Sequence, residues 1–189
     1  MKKSITKEEV NGMDVDAYKG TIYLADDKKG ASKAIQMLKG EKVLGFDTET
    51  RPSFRKGEKY DPSLMQLATS DAVVLFRLHN TGLPKGLVKI LESPDITKVG
   101  IAIDRDLDEL KELREFTPEG FVDLNTLAPE KGFTSVGVRR LAALVLGFRV
   151  SKRQQTSNWE AEQLKPQQLE YAATDAWVCR EIYQKIINL

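Results

Sequence analysis

Apolar residues fall in short runs along most of the chain, separated by charged or Gly/Pro-containing stretches, and this punctuation predicts alternating strands and helices. "GTIYLA" (20–25) predicts a first strand and "ASKAIQMLKG" (31–40) a short helix ended by Gly40. "KVLGFDTET" (42–50) predicts a strand that is mostly apolar until its last residues, followed by a basic loop, "RPSFRKGEKYDP" (51–62). "LMQLATS" and "DAVVLFRL" predict two strands joined by a turn near Ser70–Asp71. Downstream, "LPKGLVKILESP" predicts a helix, "TKVGIAI" (97–103) a strand and "DLDELKELREF" a helix. "GFVDLNTLA" reads as a further strand, and "SVGVRRLAALVLG" as a helix ended by Gly147. A long terminal helix starts near Pro166, a residue favoured in a first turn. Residues 1–18 are polar and predict a loosely held arm, leaving 19–189 as a single domain. The expected fold class is α/β, a sandwich around a mixed sheet.

Within this pattern, several carboxylates stand where apolar residues belong. In an extended chain Asp47 and Glu49 share one face and Thr48 takes the other. Two adjacent like charges raise each other's pKa, so the pair is either a strand end fraying into solvent or a site awaiting a cation. In the helix from Asp106, the residues Leu107, Leu110, Leu113 and Phe116 form an apolar stripe. Asp106 falls near the middle of it, Glu109 at its edge and Asp108 on the opposite side. A first-turn acid favoured by the helix dipole is the plainer account of Asp106. In the last helix, Tyr171, Asp175, Val178 and Ile182 lie within a narrow arc. Asp175 is a mid-helix acid pointing inward, to be paired with a cation such as Arg139 or Lys152, or to coordinate a metal.

Composition narrows the choice of cation. The chain has one Cys, Cys179, and one His, His79, which excludes an internal disulfide and cysteine- or histidine-built metal sites. A cation held by Asp47, Glu49, Asp106 and Asp175 is therefore hard and oxygen-seeking, Mg²⁺ or Mn²⁺. Four carboxylates are about what two such ions need, and two metals clamp the attacking and leaving oxygens in an in-line attack on a phosphodiester. Tyr171, one turn before Asp175, is placed to hydrogen-bond the attacking water.

The strand "FDTET", the segment "VGIAIDRDLDEL" and the helix "YAATDAW" resemble, in order, the three exonuclease motifs of the DEDD superfamily. Asp47 and Glu49 match the first motif, Asp106 the second, and Tyr171 with Asp175 the third in its YxxxD form, that of the tyrosine branch. The segment "LAALVLGFRVSKRQQTSNWEAEQL" is similar to the corresponding stretch of ribonuclease D and of the Werner-type exonuclease domain. The resemblance implies a ribonuclease H-like mixed β-sheet flanked by helices and 3′→5′ hydrolysis of nucleic acid to nucleoside monophosphates. It also implies that Asp47 contacts both metals and that Tyr171 positions the water.

A polyanion approaching these acids needs flanking cations. The formal net charge is only +1, so such cations must be clustered locally. Arg51, Arg55, Lys56 and Lys59 form one candidate cluster, and Lys152 with Arg153 another. Thr48, Lys152, Arg55 and Lys56 are taken as substrate-binding candidates, and Phe54 and Tyr60 as residues able to stack on bases. The resemblance also ranks Lys152 above the other basic residues. Trp159 reads as a packing anchor. The expected partner is the 3′ end of DNA or RNA, with no organic cofactor. The basic N-terminus lacks an apolar stretch after it and no run is long enough to span a membrane, so a cytoplasmic location is the expectation. With no appended helicase or RNA-binding domain visible, targeting is expected from this domain or a partner. Two rival readings are a catalytically silent nucleic-acid-binding module and a Mg²⁺ phosphohydrolase with Asp47 as nucleophile. Loss of a motif acid would favour the first, and none is missing; the second calls for an Asp where Glu49 stands and leaves the later motifs unexplained.

Overall fold

The computed structural model describes residues 2–189. Its centre is a six-stranded sheet, and its strands in chain order are β1 (Thr21–Ala25), β2 (Val43–Thr50), β3 (Pro62–Ala68), β4 (Ala72–Arg77), β5 (Thr97–Gly100) and β6 (Phe121–Asp123). Their spatial order is β1-β4-β3-β2-β5-β6. β3 runs antiparallel to both β2 and β4, whereas β1–β4, β2–β5 and β5–β6 pair in parallel. The helices are α1 (Lys7–Asn11), α2 (Lys28–Met37), α3 (Leu78–Thr81), α4 (Lys85–Leu91), α5 (Asp104–Leu113), α6 (Leu124–Glu130), α7 (Val138–Leu141) and α8 (Pro166–Ile186). This is the expected ribonuclease H-like arrangement, a mixed sheet flanked by helices. No described helix is long and apolar enough to cross a membrane.

Strand alternation divides the core. Phe46, Met65, Leu67, Val74 and Phe76 face α2, α4 and α5 on one side of the sheet. On the other side Leu64, Ala68, Val73 and Leu75 meet Trp159 and the alanines of α8, while Val99 meets α6, α7 and the lower half of α8. β3 and β4 are buried along their whole length, which is why their sequences read as nearly continuous apolar runs.

Three elements depart from expectation for local reasons. The second helix begins at Lys28 because Asp27 caps it, accepting the Gly30 amide at 2.6 Å. The strand expected over 120–128 stops at Asp123, whose carboxylate accepts the Asn125 amide at 2.7 Å and starts α6 instead. Beyond α7 the chain widens into a π-helical turn, Ala142–Leu146, ended by Gly147 at φ 86°.

The N-terminal segment also differs from the loosely held arm expected of it. Thr6 and Glu9 form a capping box for α1, and Val10 is only 3% exposed. The Thr134 amide donates to the Lys3 carbonyl at 2.9 Å, Lys3 Nζ to the Lys131 carbonyl at 2.9 Å, and the Ile5 amide to Ser135 Oγ at 3.1 Å. Backbone bonds then join Asp14 and Asp16 to Arg149. Polar composition hid this docking because the segment attaches mainly through its backbone and the polar side chain of Lys3, with Val10 buried.

α8 lies against β2 at the position of Gly45. A Cβ there would stand 1.9 Å from the carbonyl oxygen of Ala176 and 3.1 Å from Arg180 Cβ. Gly100 plays a similar part after β5, where a Cβ would lie 2.4 Å from Ile103 Cγ2. The chain between them turns sharply enough to hold Ala102 at φ 56°. Arg77, 2% exposed, fastens the segment before α8 to the sheet by donating to the carbonyls of Glu162, at 2.9 Å, and Ala161. Overpacking at a backbone contact costs ~1–3 kcal/mol or more. Gly45→Ala is expected to lower the unfolding free energy measured in urea by at least that amount, and an unchanged urea midpoint would refute the close approach.

Candidate active site

The end of β2 carries the first two acids. Alternation turns Asp47 and Glu49 toward α8 and Thr48 toward α5, and a register shift between Glu49 and Thr50 ends regular pairing with β3. α8 brings Tyr171 and Asp175, one turn apart, over the same spot. One carboxylate oxygen from each of Asp47, Glu49 and Asp175 lies within 4.8 Å of the others. These three and Tyr171 line one pocket with Ser151, Lys152 and Gln155 at its rim.

Asp106 arrives from the opposite side. The turn after β5 sends α5 back over the Thr48 face, and Thr48 Oγ1 donates to Asp106 Oδ1 in a short hydrogen bond. Asp106 therefore stands beside the three-carboxylate cluster and not within it. Its charge still reaches Asp47 and Glu49, and helps raise both. The expectation that Thr48 simply faces away from the acids is corrected by this bond. Alternation assigned its face, and only the return path of α5 puts an acid there.

Burial dominates the electrostatics. Asp47 is held well above the usual carboxylate range first by burial and then by Asp175 and Asp106. Glu49, 8% exposed, is pushed to about 10 by burial and then by Asp47, Asp175 and Asp106. Burial lifts Asp175 to about 7, against the opposing effects of the Tyr171 hydroxyl and the Lys152 charge. Asp106 rises to about 6, again through burial, with the Thr48 bond opposing. Burial, and then Asp175 and Glu49, push the Tyr171 phenol upward, so it keeps its proton. Neither Arg139 nor Lys152 forms an ion pair with Asp175. Clustered oxygens with no protein cation among them suit a hard divalent ion, and the all-oxygen donor set fits Mg²⁺ or Mn²⁺ better than a softer metal.

The other predicted residues divide. Lys152 lines the carboxylate pocket, but Arg55 and Lys56 line neither that pocket nor the groove beside it, and Arg55 lies 4.0 Å from Glu58. That groove runs from Thr48 past Arg51, Lys59 and Tyr60 to Asp106 and Gln155. Phe54 is exposed, while Tyr60 packs under the Arg51 guanidinium at 4.2 Å from the ring centre. Trp159 is fully buried against Tyr171, with ring centres 6.1 Å apart, as a packing anchor should be. Cys179 is a buried thiol pushed upward by burial. Gln155 belongs to the hydroxyl-rich segment "QQTSN", which the sequence reads as loop structure with a backbone-contact role, and it lines the carboxylate pocket.

A model of the 3′–5′ exonuclease family matches residues 22–189. The mouse bifunctional 3′–5′ exonuclease/ATP-dependent helicase WRN is 35% identical over 176 residues, covering 88% of this chain and 12% of that protein. Ribonuclease D of Gluconacetobacter diazotrophicus is 31% identical over 160 residues, covering 82% of this chain and 39% of that protein. The chain thus spans less than half the length of either relative. Among solved structures, the Aedes aegypti Nibbler EXO domain shares the fold with a TM-score of 0.84, over 92% of each chain at 24% identity.

The raised carboxylates have a thermodynamic consequence whose sign is fixed. A folded chain that holds protons the unfolded chain has released loses stability as pH rises between the two pKa values. For Asp175 that window runs from 3.8 to about 7, and for Asp106 from 3.8 to about 6. In chelator, Asp175→Asn is therefore expected to melt above the parent chain, by a margin that widens from about pH 5 to pH 7. Added Mg²⁺ or Mn²⁺ should raise the melting temperature of the parent far more than that of the variant. Parallel melting curves across this pH range would refute the assigned electrostatics.

Proposed function

The chain belongs to the 3′–5′ exonuclease family, and we propose that it hydrolyses nucleic-acid phosphodiesters from the 3′ end, releasing nucleoside 5′-monophosphates, as a member of the tyrosine branch. The observation that carries this reading is the convergence of Asp47, Glu49 and Asp175 within 4.8 Å, buried and without an ion-pair partner among the described residues. Burying acids in this way is costly unless a cation returns the lost solvation.

Asp47, Glu49, Asp106 and Asp175 would hold two ions, Mg²⁺ or Mn²⁺. When bound, such ions supply an activated water and neutralise charge on the phosphate. The protein residues do the rest. Tyr171 keeps its proton beside the carboxylates, so its role is to orient the attacking water by hydrogen bonding and not to remove its proton. Thr48 holds Asp106 in place through its hydroxyl. Lys152, at the pocket rim, offsets the acids' charge as the phosphate enters.

The test uses matched 5′-labelled DNA and RNA oligomers, single-stranded and duplex, with Mg²⁺ or Mn²⁺. The parent chain should give a ladder shortening from the 3′ end, and chelator should abolish it. Asp47→Ala should leave no ladder. Tyr171→Phe should slow turnover by ~10²-fold or more, the scale of a lost hydrogen bond to the reacting water. Equal activity of Asp47→Ala and the parent would sink the mechanism.

A further inference from the structure

The family match begins at residue 22, yet residues before it complete a second cleft beside the acids. This cleft of about 260 Å³ lies between α1 and α7. Its walls include Lys7 and Asn11 from α1, Val138, Arg139 and Arg140 from α7, and Lys152. It adjoins the carboxylate pocket, because Val138 and Lys152 line both. The volume far exceeds the ~30 Å³ share of one water and admits a phosphodiester group.

The charge of this cleft is one-sided. Lys7, Arg139, Arg140 and Lys152 contribute four cations, no acidic side chain lines the walls, and none of the four has an ion-pair partner among the described residues. Arg139 Nη2 donates to Asn11 Oδ1 at 3.2 Å, while its Nε is buried without a hydrogen-bond partner. In the basic loop after β2, two of the four cations have acidic neighbours. Its Arg51 is paired with Glu160 at 2.9 Å, and its Arg55 lies near Glu58. Like charges gathered without counter-charge repel one another, and an arriving anion relieves that repulsion. The capping box and buried Val10 fix α1 in this place, so Lys7 is held at the cleft by structure.

We propose, building on the exonuclease reading, that this cleft is a phosphate subsite that grips the sugar–phosphate backbone of the substrate strand next to the nucleotide being cut. Lys7 and Arg140 contact backbone phosphate from opposite walls, and Lys152 links the subsite to the catalytic pocket. Contacts of this kind are charge-assisted and independent of base sequence. The segment before the family match thus adds a backbone clamp to the domain.

The test is fluorescence anisotropy with labelled single-stranded DNA and RNA of one sequence, in chelator, across about 50–200 mM salt. Each phosphate contact contributes a slope of ~0.7 in log affinity against log salt for single strands. Lys7→Ala and Arg140→Ala should each weaken binding several-fold and flatten the slope by about that amount, and the double variant by about twice it. Lys89→Ala, a charge-matched change of an exposed lysine on α4, should behave as the parent. Parent-like affinity and slope in both Lys7→Ala and Arg140→Ala would overturn the subsite, as would a parent chain that binds neither polymer. Chelator keeps the two readings separate. A chain that binds as expected but never cuts with Mg²⁺ or Mn²⁺ overturns the exonuclease reading alone. A chain that cuts while binding indifferently to Lys7 and Arg140 overturns the subsite alone.

Discussion

The burial of several carboxylates beside one another is the constraint around which this domain is arranged. Asp47, Glu49 and Asp175 crowd one spot in the interior, where Asp175 raises the cost of ionising the other two and Asp47 that of Glu49. The Tyr171 hydroxyl and the Lys152 charge relieve only part of that cost at Asp175, so the surrounding structure must hold the acids together against the rest. It does so with rigid parts. Two acids stand on a central strand paired on both sides, and the third on a 21-residue helix laid across that strand. Loops contribute only rim residues such as Ser151, Lys152 and Gln155. The arrangement stores unfavourable electrostatics that a divalent ion can discharge, which makes affinity for the ion a product of the fold.

Much of this was legible in the sequence because the acids violate periodicity. A carboxylate on an apolar stripe is visible from spacing alone, as at Asp106 and Asp175, and alternation sufficed to pair Asp47 with Glu49. What spacing could not show was which side of the sheet each helix takes. Asp106 reads as an equal member of a four-acid set, whereas α5 returns over the Thr48 face and leaves it beside the other three. The run "FVDLNTLA" suits a strand or a helix equally, and one cap at Asp123 decides between them. The docking of the N-terminal segment was illegible for a different reason. Its bonds reach from Lys3 and Ile5 to Lys131, Thr134 and Ser135, at sequence separations that leave no local trace.

Charge in the finished structure is sorted by depth. The clustered acids are inside, and cations border them on the α1–α7 side, whereas the groove beside α5 sets Arg51, Lys59 and Arg105 among six acids. On the α1–α7 side a polyanion would meet cations before the acids, so attraction would act before repulsion. The near-neutral total charge conceals this gradient entirely.

The bare backbone at Gly45 has a mechanical meaning. The Ala176 carbonyl occupies the space in which any other residue would place a side chain. A helix seated backbone to backbone against a strand is indexed like a part pressed against a stop, with no flexible side chain between the two surfaces to take up slack. Tyr171 and Asp175 ride on the indexed part, and Asp47 and Glu49 on the stop. The spacing of the site is therefore set by a contact between two backbones, which have no rotamers to change.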